Sequence, residues 1–355
     1  VSRVVFWSAD AAGCGHYRCE LPATGLRAAG HEVSVGMALP GRQPNACMSA
    51  SETLALAESN LSGVDVLVGQ RVCNLEPSLL WHHLAQSIDR PKLVYELDDD
   101  PWALQQEPDN PAAATWGPVL GNVERNLAVS DSVTVSTWRL AEVVSEFTSA
   151  PVHVIPNAVP DHIVRDPAVV SDRVKAIGWQ GSPTHDGDWA EDSAARTVVR
   201  WLQRNDGVRL QLLGGQPQPL QRAGIALKVV HPGTRDLEVH YSRIRAMFDV
   251  SLAPLRRSTF NRSKSDIRLL ESAALGVPWV ATDYGPYAVE TDALGGAMVA
   301  RGGLRCRSSA EWRAALDHMV TSHRDRQAMH ESGLRWARSR TVGAIAPLWE
   351  RALGV

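Results

Sequence analysis

Short β-branched runs alternate with helix-length amphipathic stretches along almost the whole chain, and this alternation restricts the fold more than any other feature. "RVVFWS" (3–8), "HEVSVGM" (31–37), "DVLVGQ" (65–70), "KLVYELD" (92–98), "SVTVST" (132–137) and "VHVIPN" (152–157) read as strands. Helices are expected between them at Cys19–Ala29, Pro77–Ser87, Gly117–Ala128 and Trp138–Phe147. The rhythm resumes with "VKAIGWQG" (174–181), "VRLQLLG" (208–214), "LKVVHPG" (227–233), "DVSLAPL" (249–255), "PWVATD" (278–283) and "GAMVAR" (296–301). Strands that alternate with helices build parallel α/β sheets covered on both faces. Two such series, in a chain of 355 residues, exceed one ordinary core and predict two Rossmann-like domains in tandem.

The junction is expected in "IPNAVPDHIVRDPAVVSD" (155–172), which has three prolines and no clean periodicity. That gives a first domain over 1–160 and a second over 161–335. After Arg301 the chain turns helical, and Ser308 with Glu311 has the spacing of a capping box. The closing stretch 336–355 reads as a helix that packs back on the first domain. No apolar run approaches the ~20 residues that span a bilayer. The opening "VSRVVFWSAD" enters a strand directly, so no signal peptide is expected.

Charge and cysteine content narrow the partners. A net charge of −3 gives no electrostatic reason to expect a nucleic-acid backbone as the main partner, although a locally basic face stays compatible with it. Cys14, Cys19, Cys47, Cys73 and Cys306 form no C-x-x-C pair, which suits a reducing cytoplasm and leaves a zinc site at Cys14 and Cys19 without a second pair. With 44% apolar and 21% charged residues the composition is that of a soluble protein.

In open α/β sheets the loops at the carboxyl ends of strands make the ligand site. Here those loops include 9–18, 98–103, 181–188, 256–266 and 283–287. The segment 249–283 is the most informative: Arg256, Arg257, Arg262 and Lys264 precede a helix that Ser265 and Asp266 open and that carries Arg268 and Glu271. Cations before a helix N-terminus favour phosphate, because free N–H groups and the helix dipole add to their charge. Glu271, two turns in, can accept hydroxyl hydrogen bonds from a ribose. A solvated basic loop with a Glu–Arg helix pair explains the same spacing.

"VYELDDDPW" (94–102) places three carboxylates in a row after an apolar run. Asp98 and Asp100 have the Asp-x-Asp spacing of a divalent-metal site. Asp98 and Asp99 equally suit hydrogen bonds to sugar or acceptor hydroxyls, or acid–base work on the acceptor. The bland alternative is a strand-end turn in which Asp100 caps and Pro101 starts the next segment. Trp102 and Trp116 can stack on sugar faces, but tryptophan serves packing more often.

"SKSDIRLLESAALGVPWVATDYGPY" (263–287) resembles the donor-binding segment of GT-B glycosyltransferases of the large retaining family that includes glycogen- and sucrose-synthase-like enzymes. "VIPNAVP" (154–160) resembles that family's junction segment, "STWRLAE" (136–142) the opening of the helix before it, and "GCGHYRCELPATGLRAAGHEV" (13–33) its N-terminal Gly-rich loop and helix. The resemblance implies a GT-B fold with two Rossmann-like domains facing a central cleft, and a nucleotide-diphosphate sugar as donor. It implies that Glu271 holds the ribose, and that Gly15, His16, Tyr17 and Arg18 lie near the donor phosphates and the acceptor. Three features depart from the family pattern. The first Glu of the family pair falls at Ser263, and "LDDDPW" stands where the family has a histidine. Gly181, Ser182 and Thr184 then supply donors in place of the usual Gly-Arg and Lys, with cations from Arg256, Lys264 and Arg268. On this reading His16, Asp98 and Asp99 are the catalytic candidates, and Tyr17, Arg18 and Trp102 lie on the acceptor side. No metal or cofactor is required, with Mg²⁺ a minor alternative; a GT-B-type epimerase and a non-catalytic sugar-nucleotide binder remain open.

Overall fold

The computed structural model describes residues 1–36, 61–164, 170–189, 194–225, 228–288 and 301–355. Cys47 lies outside these residues, as does the expected strand at 296–301 except for Arg301. The chain divides into two compact units. The first comprises Val1–Ala158, Ser263–Ser265 and Val342–Val355; the second comprises Val159–Arg262 and Asp266–Thr341.

The first unit is built on a parallel sheet of β1 (Arg3–Trp7), β2 (Glu32–Gly36), β3 (Val66–Gln70), β4 (Lys92–Leu97), β5 (Ser132–Val135) and β6 (Val152–Val154), in the order β2-β1-β3-β4-β5-β6. Its register pairs Val4 with Val33 and Val66, and Val68 with Val94. Strand β3 is buried throughout, as expected of a parallel strand covered on both faces. Among the described residues, the helices of seven residues or more in the first series are α1 (Leu21–Ala28), α2 (Leu75–Gln86), α3 (Leu120–Ala128) and α4 (Trp138–Val144).

The second unit carries β7 (Ala176–Gly181), β8 (Arg209–Gly214), β9 (Lys228–His231), β10 (Val250–Ala253), β11 (Trp279–Thr282) and β12 (Gly303–Cys306), in the order β12-β11-β10-β7-β8-β9 and again parallel. Around this sheet run α5 (Ala195–Arg204), α6 (Leu237–Met247), α7 (Ile267–Ala274), α8 (Ser309–Thr321) and α9 (His323–Arg338). Ser308 caps α8 by accepting from the Glu311 N–H at 3.2 Å, while the Glu311 carboxylate reaches back one residue further than a capping box, to the Arg307 N–H.

The last helix, α10 (Val342–Leu353), belongs to the first unit. Gly25 of α1 leaves room for it: a Cβ there would press on Val342 and Ala346. Trp349 is fully buried with its ring edge against Phe6, and Lys92 donates to the terminal carbonyls of Ala352 and Leu353 at 3.0 Å. The expected boundary at 335/336 falls inside α9, whose helical run continues to Arg338; the chain passes to the first unit at Val342. Among the described residues no helix is long and apolar enough to cross a membrane.

Candidate active site

The two sheets have different switch points. In the first unit strand order reverses beside β1, so the crevice opens between the loops after β1 and β3. In the second it opens between the loops after β7 and β10.

Asp10, after β1, organises the first crevice. Its Oδ1 accepts from the Ala12 N–H at 2.8 Å and the Gly15 N–H at 3.1 Å, and its Oδ2 meets Arg71 Nη2. A side chain at Gly15 would collide with the Asp10 carbonyl and the Ser8 hydroxyl, so only glycine allows the approach. Gln70 ties the same turn, accepting from the Ala9 N–H and donating to the Cys14 carbonyl. Arg71 holds φ at +48°, in the left-handed region, and its Nε faces Asp98 Oδ1 at 3.8 Å. Burial pushes the Cys14 thiol well up, and Asp98 adds to the push, so it stays protonated.

The three aspartates separate. Asp98 faces Arg71 and lies largely buried. Asp99 is more exposed and pairs with Lys264 Nζ at 3.6 Å. Asp100 is buried as an N-cap, accepting from the Ala103 N–H at 2.9 Å and from the Ser263 hydroxyl at 3.1 Å. Burial raises its pKa, and those two donors hold the rise back. Both Asp100 oxygens are therefore engaged by Ala103 and Ser263. Among the described residues no three His, Cys, Asp or Glu groups converge on a point that would cage a metal ion.

Behind this wall Arg18 is 1% exposed. Its Nε donates to Glu96 Oε1 at 2.6 Å, its Nη1 donates to the Ile155 carbonyl and Asn157, and its guanidinium lies 5.2 Å from the Trp349 ring centre. Burial lifts Glu96 to about 7 against the pull of Arg18. Arg18 was expected on the acceptor side, but its burial leaves it no surface to offer an acceptor. Trp102 was expected there too; it stacks on Phe147 with ring centres 4.3 Å apart and donates to Glu124, so one ring face serves packing. Trp116 packs against the same core. His16 and Tyr17 remain beside the Gly15 turn, with their rings edge to face.

In the second unit Gly181 ends β7 where a Cβ would strike the Trp179 ring. The hydroxyls of Ser182 and Thr184 pair at 2.7 Å on the loop that follows. Asp188, 3% exposed, bridges the crevice: Oδ1 accepts from the Arg256 N–H at 3.2 Å and from Asn261 at 3.0 Å. Its Oδ2 lies 3.2 Å from His185 and 3.9 Å from Arg268. Glu271 is buried on α7, accepting from Gln180 Nε2 at 2.8 Å with His240 at 3.9 Å. Helix α7 begins at Ile267 rather than Ser265, and Asp266 turns its carboxylate to Arg340 and Arg301. A cavity of about 90 Å³ at the ends of β10, β11 and β12 is lined by Arg256, Arg257, Arg307, Thr282 and Ser308.

The donor residues expected together are thus distributed. Gly181, Ser182, Thr184, Arg256, Arg268 and Glu271 belong to the second unit; Gly15, Lys264 and Ser265 belong to the first, where Asn157 donates to Ser265 Oγ at 2.9 Å. Asp10, Arg71, Gln180, Asp188 and Asn261 were not singled out from sequence. Arg71 directly follows "DVLVGQ", so the carboxyl-end rule applied to that strand names it.

Residues 181–321 match the model of the family described as Glycosyl transferases group 1. No curated protein matches the chain in sequence. In three dimensions it is similar to a sucrose-phosphate synthase from Thermosynechococcus elongatus, with a TM-score of 0.67 at 14% identity over 99% of this chain and 98% of that one. It is similar to Anabaena HepE, solved in complex with UDP and glucose, with a TM-score of 0.66 at 13% identity over 100% of both chains. WaaG, a glycosyltransferase involved in lipopolysaccharide biosynthesis, superposes with a TM-score of 0.64 at 14% identity over 100% of both chains. The chain therefore has the GT-B fold, and its segment 181–321 is similar to the group 1 glycosyl transferases.

Proposed function

We propose that the chain moves a sugar from a nucleotide-diphosphate sugar to an acceptor hydroxyl, with retention of anomeric configuration. The observation that carries this reading is the crevice of the second unit. There Asp188 gathers Arg256 and Arg268, and a buried Glu271 lies within the segment matched to the family. Glu271 accepts hydrogen bonds from the ribose. Arg256, Arg268 and the free N–H groups of the first turn of α7 meet the charge that grows on the departing diphosphate. The bound diphosphate is already anionic, so these groups hold the donor in the ground state, and the smaller share of charge that develops only as the glycosidic bond breaks adds to turnover.

Asp98 and Asp99 of the first unit accept hydrogen bonds from hydroxyls, and His16 lies on the neighbouring turn. In a front-face displacement the acceptor oxygen bonds to the anomeric carbon on the side from which the diphosphate leaves. Its proton passes to the departing phosphate oxygen, and the carboxylates orient the hydroxyl. Saccharides, protein side chains and hydroxylated bases all offer such a hydroxyl. The reaction on this reading proceeds without a divalent metal, so chelation leaves it unchanged.

Calorimetry with a panel of nucleotide sugars tests the donor side. Glu271→Ala and Arg268→Ala are expected to weaken donor binding by roughly 10–100-fold, the worth of one charged hydrogen bond. Wild-type affinity in both variants would sink the assignment. Epimerised donor in the absence of acceptor would move the assignment to an epimerase, whereas slow hydrolysis supports transfer.

A further inference from the structure

We infer that Arg71 is a positioning residue: a built-in cation that holds Asp98 and the Asp10 turn in register at the switch point of the first unit. Three independent features meet at this one side chain. The first is its place: Arg71 is the first residue after β3, in the loop that faces the loop after β1 across the crevice. The second is its backbone, with φ at +48°, a conformation costly for any residue with a Cβ and kept only where the surroundings enforce it. Its N–H donates to the Glu96 carbonyl at 2.9 Å, which fixes that geometry against β4.

The third feature is its company. The guanidinium pairs with Asp10 on one side and faces Asp98 at 3.8 Å on the other, with its side chain only 16% exposed. Asp10 uses its remaining oxygen on the N–H groups of Ala12 and Gly15, so the position of Arg71 sets the backbone turn next to His16. On the β4 side, Oδ1 of Asp98 is shielded and accepts no hydrogen bond among the described residues. Its inward oxygen therefore answers to the guanidinium. Lys264 is engaged with Asp99, so Arg71 is the cation that the described contacts bring to Asp98.

A planar guanidinium can address two carboxylates on separate loops at once, which an ammonium does less well. The consequence is an acidic strand end whose repulsion is relieved from within, leaving Asp98 fixed toward the acceptor hydroxyl.

The inference rests on the transferase reading for its kinetic arm, so the test has two arms. Arg71→Gly suits the first, because glycine adopts the positive φ without strain and leaves a hole shaped for guanidinium. The expected result is a turnover loss of roughly 100-fold with donor affinity unchanged, and recovery of most of it on adding millimolar methylguanidinium but not methylammonium. Unchanged turnover, or a loss that methylguanidinium does not repair, overturns the proposal. If wild-type protein binds and turns over no nucleotide sugar, the transferase reading fails separately, and hydrogen exchange decides the role of Arg71. Protection at Ala12, Gly15 and the Asp98–Asp99 amides is expected to fall in Arg71→Gly and return with methylguanidinium. Identical exchange in both proteins overturns the proposal on that arm.

Discussion

Each unit bridges its switch point with an aspartate on the loop after its first strand, and the two bridges differ in what surrounds them. Asp10 is 30% exposed and meets a side-chain cation, Arg71, among further carboxylates at Asp98 and Asp99. The Asp188 side chain is 4% exposed and is enclosed by donors: the Arg256 N–H, Asn261, His185 and Arg268. One architecture thus yields an acidic strand end that suits hydroxyls and a cation-rich strand end that suits phosphate. The fold supplies the crevice; the loop residues decide its chemistry.

The largest expected effect tests whether the acidic end does chemistry. Asp98→Asn keeps the shape and removes the charge that orients the acceptor hydroxyl, and should lower turnover by roughly 10²-fold or more while leaving donor affinity within about twofold. Arg268→Ala in the other unit should do the reverse, raising the donor Kd with a smaller effect on saturated turnover. If both variants moved Kd alone, the division of labour between the two strand ends would be wrong.

Stability should separate the two bridging aspartates. Asp188→Ala removes a buried carboxylate that accepts from the Arg256 N–H and from Asn261 and lies beside Arg268, leaving Asn261 only the Arg256 carbonyl, a loss of about 3–5 kcal/mol. Asp10→Ala releases the Ala12 and Gly15 N–H groups and Arg71, and because Asp10 is itself 30% exposed water can replace part of what it supplied, so a smaller loss of about 1–2 kcal/mol is expected. Urea melts of the two variants check the ranking, and equal losses would erase the contrast between a wet bridge and a dry one.

Glu96 adds a pH term that belongs to the first unit alone. Its folded pKa of about 7 lies above the model-peptide value of 4.5, so the folded state holds its proton more tightly. The associated stability is fully present below pH 4.5 and is lost as pH rises through 7, to a total of about 3 kcal/mol. Glu96→Gln should flatten that slope between pH 4.5 and 7 in thermal melts. A slope that survives the substitution would place its origin elsewhere.

Sequence periodicity reached the strands and their alternation with helices, because these depend on local pattern. Strand order did not follow from it, since the partners of β1 are fixed by packing across the sheet. In the candidate site, residue type and spacing nominated single residues such as Glu271 and Lys264, and the structure buries the first and pairs the second with Asp99. The site was not legible where a contact joins distant segments: Asp10 meets Arg71 across 61 positions and Asp100 meets Ser263 across 163. Arg71 carries no local signal of a left-handed backbone, since arginine has no preference for it. Nor does "LDDDPW" say which aspartate points inward; that depends on Arg71, Lys264 and Ser263, all of them outside the stretch.

The smallest expected effect sharpens the comparison within the aspartate run itself. Asp100 is an N-cap whose oxygens are taken by Ala103 and Ser263, whereas Asp98 and Asp99 face cations. Asparagine caps helices about as well as aspartate. In Asp100→Asn the amide oxygen can keep the Ala103 N–H, and the Ser263 hydroxyl can rotate to accept from the amide nitrogen. Stability should therefore change by about 1 kcal/mol or less, with turnover and donor affinity both retained. Burial already raises the pKa of Asp100, so a neutral side chain there costs less than it would at an exposed cap. If Asp100→Asn instead lost turnover as deeply as Asp98→Asn, the three carboxylates would be acting as one unit, and the Asp-x-Asp metal reading of the stretch would regain its claim over separate roles for each.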